Sequence, residues 1–137
     1  MKGALGRQLI AEFWGCRPEA LSDKHGTIEI ARKAAKALKA EVKAEAAHFF
    51  EPTGLTVLLL LSKSHIAVHT WPEHSYAALD IFYCSEEEDP WQAYWLFKQF
   101  FRPKRRSVII VPRGVMEGRG PRHSFMQQTS AHLRHLS

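Results

Sequence analysis

The run of apolar and polar positions predicts strands punctuated by two helices. Gln8 to Cys16 (QLIAEFWGC) reads as a first strand, closed off by Pro18 and the polar stretch around Ser22 and Asp23. From about Ile28 to Lys39 the period changes: Ala31, Ala34, Ala35 and Leu38 recur at helical spacing, while Arg32, Lys36 and Lys39 take a different face. Such a helix has one apolar stripe to lay on a sheet. Ala40 to Phe50, Leu55 to Leu61, His65 to Thr70 and Tyr76 to Cys84 are strand-forming runs separated by Pro52, Gly54 and the Trp71 to Ser75 turn. Asp89 and Pro90 start a second helix, an N-cap with proline in the first turn, whose buried stripe is Ala93, Leu96, Phe97 and Phe100. Ser107 to Val111 returns as a last strand. Glycines at 114, 118 and 120 then mark 113–137 as a tail.

This order predicts an α+β two-layer sandwich, a mainly antiparallel sheet with both helices on one face. Its other face is left uncovered, and two such faces would pair across a twofold axis. The expected assembly is therefore a homodimer whose sheets meet in a four-layer αββα sandwich. At 137 residues the chain makes one domain, 1–137, with a single site or a site shared between subunits.

Composition narrows the class. Apolar residues at 45% and charged residues at 24% are the balance of a globular protein and exclude extensive disorder. The longest apolar run, Leu55 to Leu61, is interrupted by Thr56 and falls far short of the roughly 20 residues of a membrane span. The start, MKGALGRQLIAEFWG, lacks the apolar stretch and small-residue cleavage site of a secretory signal. Cys16 and Cys84 alone do not make a disulfide framework, which points to a cytoplasmic setting. Lys and Arg outnumber Asp and Glu by 19 to 14, concentrated in Arg102, Lys104, Arg105, Arg106 and the tail. That cluster follows a helix read as opening with Glu86, Glu87, Glu88 and Asp89, so the charges match the helix macrodipole. With no aromatic platform beside them, a nucleic-acid partner is not expected.

Chemistry concentrates in Ser62 to Cys84, SKSHIAVHTWPEHSYAALDIFYC. Strand alternation puts Ser64, Ile66 and Val68 on one face and His65, Ala67 and His69 on the other, so these residues alone do not assemble a site without a kink or chain break. Taken singly, each hydroxyl and imidazole fits a strand residue satisfied by backbone. A zinc site from His65, His69, His74 and Cys84 has the right residue types, but its spacing is unlike that of compact metal motifs.

A third reading comes from resemblance. LSKSHIAVHTWPEHSYAALDIFYC resembles the processing and active-site segment of the short bacterial and archaeal S-adenosylmethionine decarboxylase proenzymes, which are pyruvoyl-dependent. LGRQLIAEFWGC, HFFEPTGLT and EDPWQAYWLFK are similar to that family in order and spacing too, over roughly residues 4 to 111. The resemblance implies self-cleavage between Lys63 and Ser64. Ser64 Oγ would attack the Lys63 carbonyl, and elimination from the resulting ester would leave a pyruvoyl group as covalent cofactor. Chains of residues 1–63 and 64–137 would result. The ketone would condense with the substrate's amino group as a Schiff base and accept the electrons that departing carbon dioxide leaves behind. By the same correspondence Thr56 supplies the hydroxyl that supports processing, His69 moves protons during elimination, and Cys84 protonates the product carbanion. Phe50 would stack on adenine, Glu73 would accept from ribose hydroxyls, Trp71 would lie near the sulfonium, and Ile66 and Glu51 would complete the substrate contacts. The product would feed polyamine (spermidine) biosynthesis.

Some positions depart from the commoner pattern. Lys63 replaces a frequent glutamate, Thr56 a serine and Val57 a glycine. Glu51 beside Phe50 could pair with an ammonium or guanidinium, which makes ornithine or arginine the runner-up substrates. An unprocessed, non-catalytic homologue is a further alternative; it predicts one intact chain.

Overall fold

A computed structural model of the chain describes residues 3–84 and 88–116. Its elements are β1 (Ala4–Trp14), α1 (Pro18–Leu21), α2 (Lys24–Ala37), β2 (Val42–Phe49), β3 (Leu55–Leu61), β4 (His65–Trp71), a 3-10 turn (Pro72–His74), β5 (Tyr76–Tyr83), α3 (Pro90–Phe101) and β6 (Arg105–Val115). The strands form one sheet in the order β2-β3-β4-β5-β1-β6, with every pairing antiparallel. The helices cover one face, as the α+β two-layer reading expects, with α2 and α3 packed on each other and on β3, β1 and β5.

Register explains why that face is the core. Leu59, Ile66, Ile81, Leu9 and Ile110 stand side by side across five strands. None is more than 4% exposed, and each such side chain contributes on the order of 2 kcal/mol through burial. One residue along, the parity flips to the open face, where Thr56, His69, Ala78, Glu12 and Ser107 form a row in register. Leu58 and Leu60 on that face are 45% and 55% exposed, the uncovered apolar surface that alternation predicts.

Several boundaries differ from the sequence expectation, each for a local reason. α2 begins four residues before Ile28, because the Asp23 carboxylate accepts from Gly26 N at 2.8 Å and sets the N-cap there. Pro18 starts the short helix α1 instead of only breaking the strand, since its fixed φ suits the first helical position. β6 passes through Pro112 to Val115, so 113–115 are strand and not tail. At the sheet edge, a strand needs only the N–H groups that face its one partner. The rest of the expected tail, from 117 onward, lies outside the described residues. Among the described residues no helix is long and apolar enough to cross a membrane.

Candidate functional site

Ser64 sits in the tight connection from β3 to β4, where Leu61 N donates to the Ser64 carbonyl at 2.9 Å. Cys84 follows β5, the strand beside β4, and His65 pairs with Phe82, so the end of β5 comes level with that turn. The Cys84 thiol donates to the Lys63 carbonyl oxygen at 3.0 Å. The carbonyl that Ser64 would attack therefore already holds a donor. Glu88, just before α3, accepts from Ser64 Oγ at 3.4 Å and from Cys84 N at 3.3 Å through its two oxygens. These groups line a cleft of about 440 Å³ with Leu38, Lys39, Ala40 and Glu41 of the α2–β2 connection. Ser64 itself is buried.

A second cleft, about 480 Å³, lies at the other end of β4 and is lined by Phe50, Glu51, Pro52, Thr53, Thr56, His69, Thr70, Trp71 and Glu73. Cross-strand pairing of Thr56 with His69 brings Thr56 Oγ1 within 3.0 Å of His69 Nδ1. Trp71 stands next to His69 and Tyr76, with ring centroids 6.1 and 5.4 Å apart, while Phe50 meets His48 edge-on. The β2–β3 loop that carries Phe50 to Thr53 is fastened down. Phe50 N donates to Gly54 O at 2.9 Å, and Ser22 and Thr53 hydroxyls lie 2.7 Å apart. Gly54 has φ +104° and a Cβ there would lie 3.2 Å from Thr70 O, so the loop's return against β4 requires glycine. Thr70 is buried beneath the cleft as a structural brace: Oγ1 donates to Leu21 O at 2.8 Å and accepts from Leu55 N at 3.0 Å.

The expected residues thus fall into two groups. Ser64, Lys63 and Cys84 stand together, as do Thr56, His69, Trp71, Glu73, Phe50 and Glu51. Five residues of extended strand separate Ser64 from His69, roughly 16 Å at about 3.3 Å per residue. Within one protomer Ser64 and Cys84 do not form a unit with Thr56 and His69. Ile66 lines neither cleft; it is 0% exposed in the core between sheet and helices, away from the other expected substrate contacts. His65 stacks on Phe82, and Cys84 lies at the far end of β4 from His69, so the zinc set does not converge. Among the described residues no three potential metal ligands cluster.

Sequence reasoning also missed one group lining the first cleft and three on the open face of the sheet. Glu88 does not open the second helix as the sequence pattern predicts; α3 begins at Pro90, with Asp89 as its cap, accepting from Trp91 N and Gln92 N. On the open face Tyr76 donates its hydroxyl to Glu12 and its own ionisation is pushed up, mainly by burial and then by that carboxylate. Burial likewise raises Asp80, against the lowering influence of His69 and His65. The strand pattern held the signal for these, since Glu12, His69 and Asp80 share the open-face parity.

The S-adenosylmethionine decarboxylase family model matches residues 7–114. This chain belongs to that family. A relative named "S-adenosylmethionine decarboxylase proenzyme" from Methanococcus maripaludis is 38% identical over 113 residues, 82% of this chain and 93% of the relative. One of the same name from Caldicellulosiruptor saccharolyticus is 40% identical over 114 residues, 83% and 92% of the two chains. The fold agrees with the crystal structure of the adenosylmethionine decarboxylase from Aquifex aeolicus, with TM-score 0.77, 26% identity and coverage of 85% of this chain and 97% of that one. A Trypanosoma brucei S-adenosylmethionine decarboxylase monomer shares the fold at TM-score 0.58 and 18% identity, over 76% of this chain and 45% of that one. The decarboxylase family match spans both clefts and the turn between β3 and β4.

Proposed function

We propose that this chain is the self-cleaving precursor of a pyruvoyl-dependent decarboxylase acting on S-adenosylmethionine. The observation that carries the reading is the Cys84 thiol 3.0 Å from the Lys63 carbonyl oxygen, at a turn whose next residue is Ser64, in a chain of this family. Attack of Ser64 Oγ on the Lys63 carbon places negative charge on an oxygen that has a donor in position before reaction. Collapse transfers the acyl group from nitrogen to oxygen; loss of the Ser64 Cα proton and of the carboxylate then yields dehydroalanine, and water converts it to the ketone with loss of ammonia. Ser64, held in the cleft with Cys84, fits the group that must form there. Once formed, the pyruvoyl group supplies an electrophilic carbonyl that stabilises the carbanion left by decarboxylation. Cys84 stands where it can deliver the final proton.

The second cleft suits the rest of the substrate. Trp71 and Phe50 offer aromatic faces for adenine and the sulfonium, and Glu73 offers a carboxylate for ribose hydroxyls. Because the two clefts lie roughly 16 Å apart along β4 at about 3.3 Å per residue, one molecule cannot use both within a protomer. Pairing the open faces about a twofold axis across the middle of β4 sets the Ser64 end of one chain beside the His69 end of its partner. It also covers Leu58 and Leu60. A homodimer with two composite sites follows, in an αββα stack. Ornithine and arginine are not favoured, since the matched relatives are named for S-adenosylmethionine.

Intact-mass measurement of the purified protein tests the reading. The expected products are residues 1–63 and a 64–137 chain refractory to N-terminal sequencing, with Ser64→Ala left whole. Carbon dioxide should be released from carboxyl-labelled S-adenosylmethionine. A wild-type chain that stays intact, or release from ornithine or arginine alone, would overturn the assignment.

A further inference from the structure

Self-processing needs somewhere for the Ser64 hydroxyl proton to go, and His69 lies at the wrong end of β4 to take it within the chain. From the geometry we infer that Glu88 is the catalytic base of the first processing step, accepting the Ser64 Oγ proton as Oγ attacks the Lys63 carbonyl. The inference rests on the self-cleaving reading above and concerns a residue beyond the processing segment that ends at Cys84.

Glu88 Oε2 lies 3.4 Å from Ser64 Oγ, within reach of a hydrogen bond that shortens as charge develops on the nucleophile. Oε1 is occupied differently, accepting from Cys84 N at 3.3 Å, so one carboxylate bridges the nucleophile and the residue whose thiol holds the electrophile. Its position is set by the chain on its C-terminal side. Asp89 caps α3 through Trp91 N and Gln92 N, and Pro90 fixes the first helical φ and biases Asp89 toward extended backbone. Among the described residues, the cleft's charged and titratable neighbours are Lys39 and Glu41 from the α2–β2 connection, Lys63, and Cys84, with Asp89, Tyr83 and Arg7 close by.

The step balances without a co-reactant. The Oγ–C bond forms as the Oγ proton passes to the Glu88 carboxylate, and the carbonyl electron pair moves onto the Lys63 oxygen, where the Cys84 S–H donates. On collapse the C–N bond breaks, its electron pair goes to the Ser64 nitrogen, and Glu88 returns the proton to that amine. The carboxylate is regenerated and the peptide has become an ester.

The test follows conversion of freshly synthesised full-length chain to fragments, with and without hydroxylamine, which cleaves the ester and so reports its formation independently of elimination. Glu88→Gln should slow both the spontaneous and the hydroxylamine-dependent cut by about a hundredfold, the usual size of a lost general base. Glu88→Asp, which keeps a carboxylate on a shorter arm, should cut at an intermediate rate, and it serves if Glu88→Gln does not fold. A Glu88→Gln chain cutting at the wild-type rate, or a Glu88→Asp chain no faster than a folded Glu88→Gln, would overturn the role of Glu88 while leaving self-cleavage standing. An uncut wild type would instead overturn the reading beneath it.

Discussion

Replacing Cys84 with alanine isolates the contribution of one hydrogen bond to chain cleavage. The thiol is 3.0 Å from the Lys63 oxygen, so alanine removes a donor that would act on the charge formed in the proposed cleavage. Loss of one amide donor from an oxyanion site costs roughly 2.7–4 kcal/mol. A thiol is a weaker donor, and half that cost, about 1.5–2 kcal/mol, corresponds to a rate about 10- to 30-fold lower. Serine offers a stronger donor on a shorter bond, leaving its oxygen roughly 0.4 Å further away and past normal O–H···O range, so Cys84→Ser should fall between wild type and alanine. The assay is a time course of precursor conversion by intact mass, with thermal melting to confirm that each variant folds. Alanine cutting as fast as wild type, in a folded chain, would remove the thiol from the processing step. Serine no better than alanine would argue for a requirement other than hydrogen-bond donation.

Three further outcomes are expected. Mixing Ser64→Ala with tagged His69→Ala chains should start cleavage of the tagged chain, reaching about half of it if dimers assort at random; no cleavage on mixing would rule out a composite site. Thr70→Val strands the Leu55 amide and the Leu21 carbonyl, at about 1–3 kcal/mol each, and should lower Tm by about 10 °C, whereas a drop under about 2 °C would show that water replaces the brace. Burial pushes the Cys16 thiol from 9.0 up to about 11, so the unfolded chain ionises first and stability should fall as pH rises through that window. The decline attributable to the thiol is at most about 3 kcal/mol, and chemical denaturation of Cys16→Ala should lack it; an unchanged alkaline slope would contradict the buried, neutral thiol.

Much of the fold was legible because the periodicities are strong. Leu55–Leu61 is the strand its composition announces, and Asp89–Pro90 starts α3 where an N-cap and proline place it. What escaped depended on partners distant in sequence. Whether Pro112 ends a strand depends on that strand lying at the sheet edge, and only the order of all the strands decides this. In sequence Glu88 is one more acid complementing a helix dipole, but the helix begins after it, which leaves its carboxylate to the cleft. The site is the instructive case. Alternation already separated Ser64 from His69 by face, and resemblance named both, yet their separation along a straight strand is a matter of three-dimensional reach.

The strand order also bears on what cutting the chain would do. The piece ending at Lys63 would own β1, β2 and β3 and the other piece β4, β5 and β6, but β1 lies between β5 and β6. The fragments would be interleaved, like fingers of two hands, joined by the β3–β4, β5–β1 and β1–β6 ladders and by the core packed across them. Neither could leave without dismantling the sheet. A scission that makes a reactive group would therefore relax one turn while leaving both products locked into a single folding unit, and their separation would be as slow as unfolding itself.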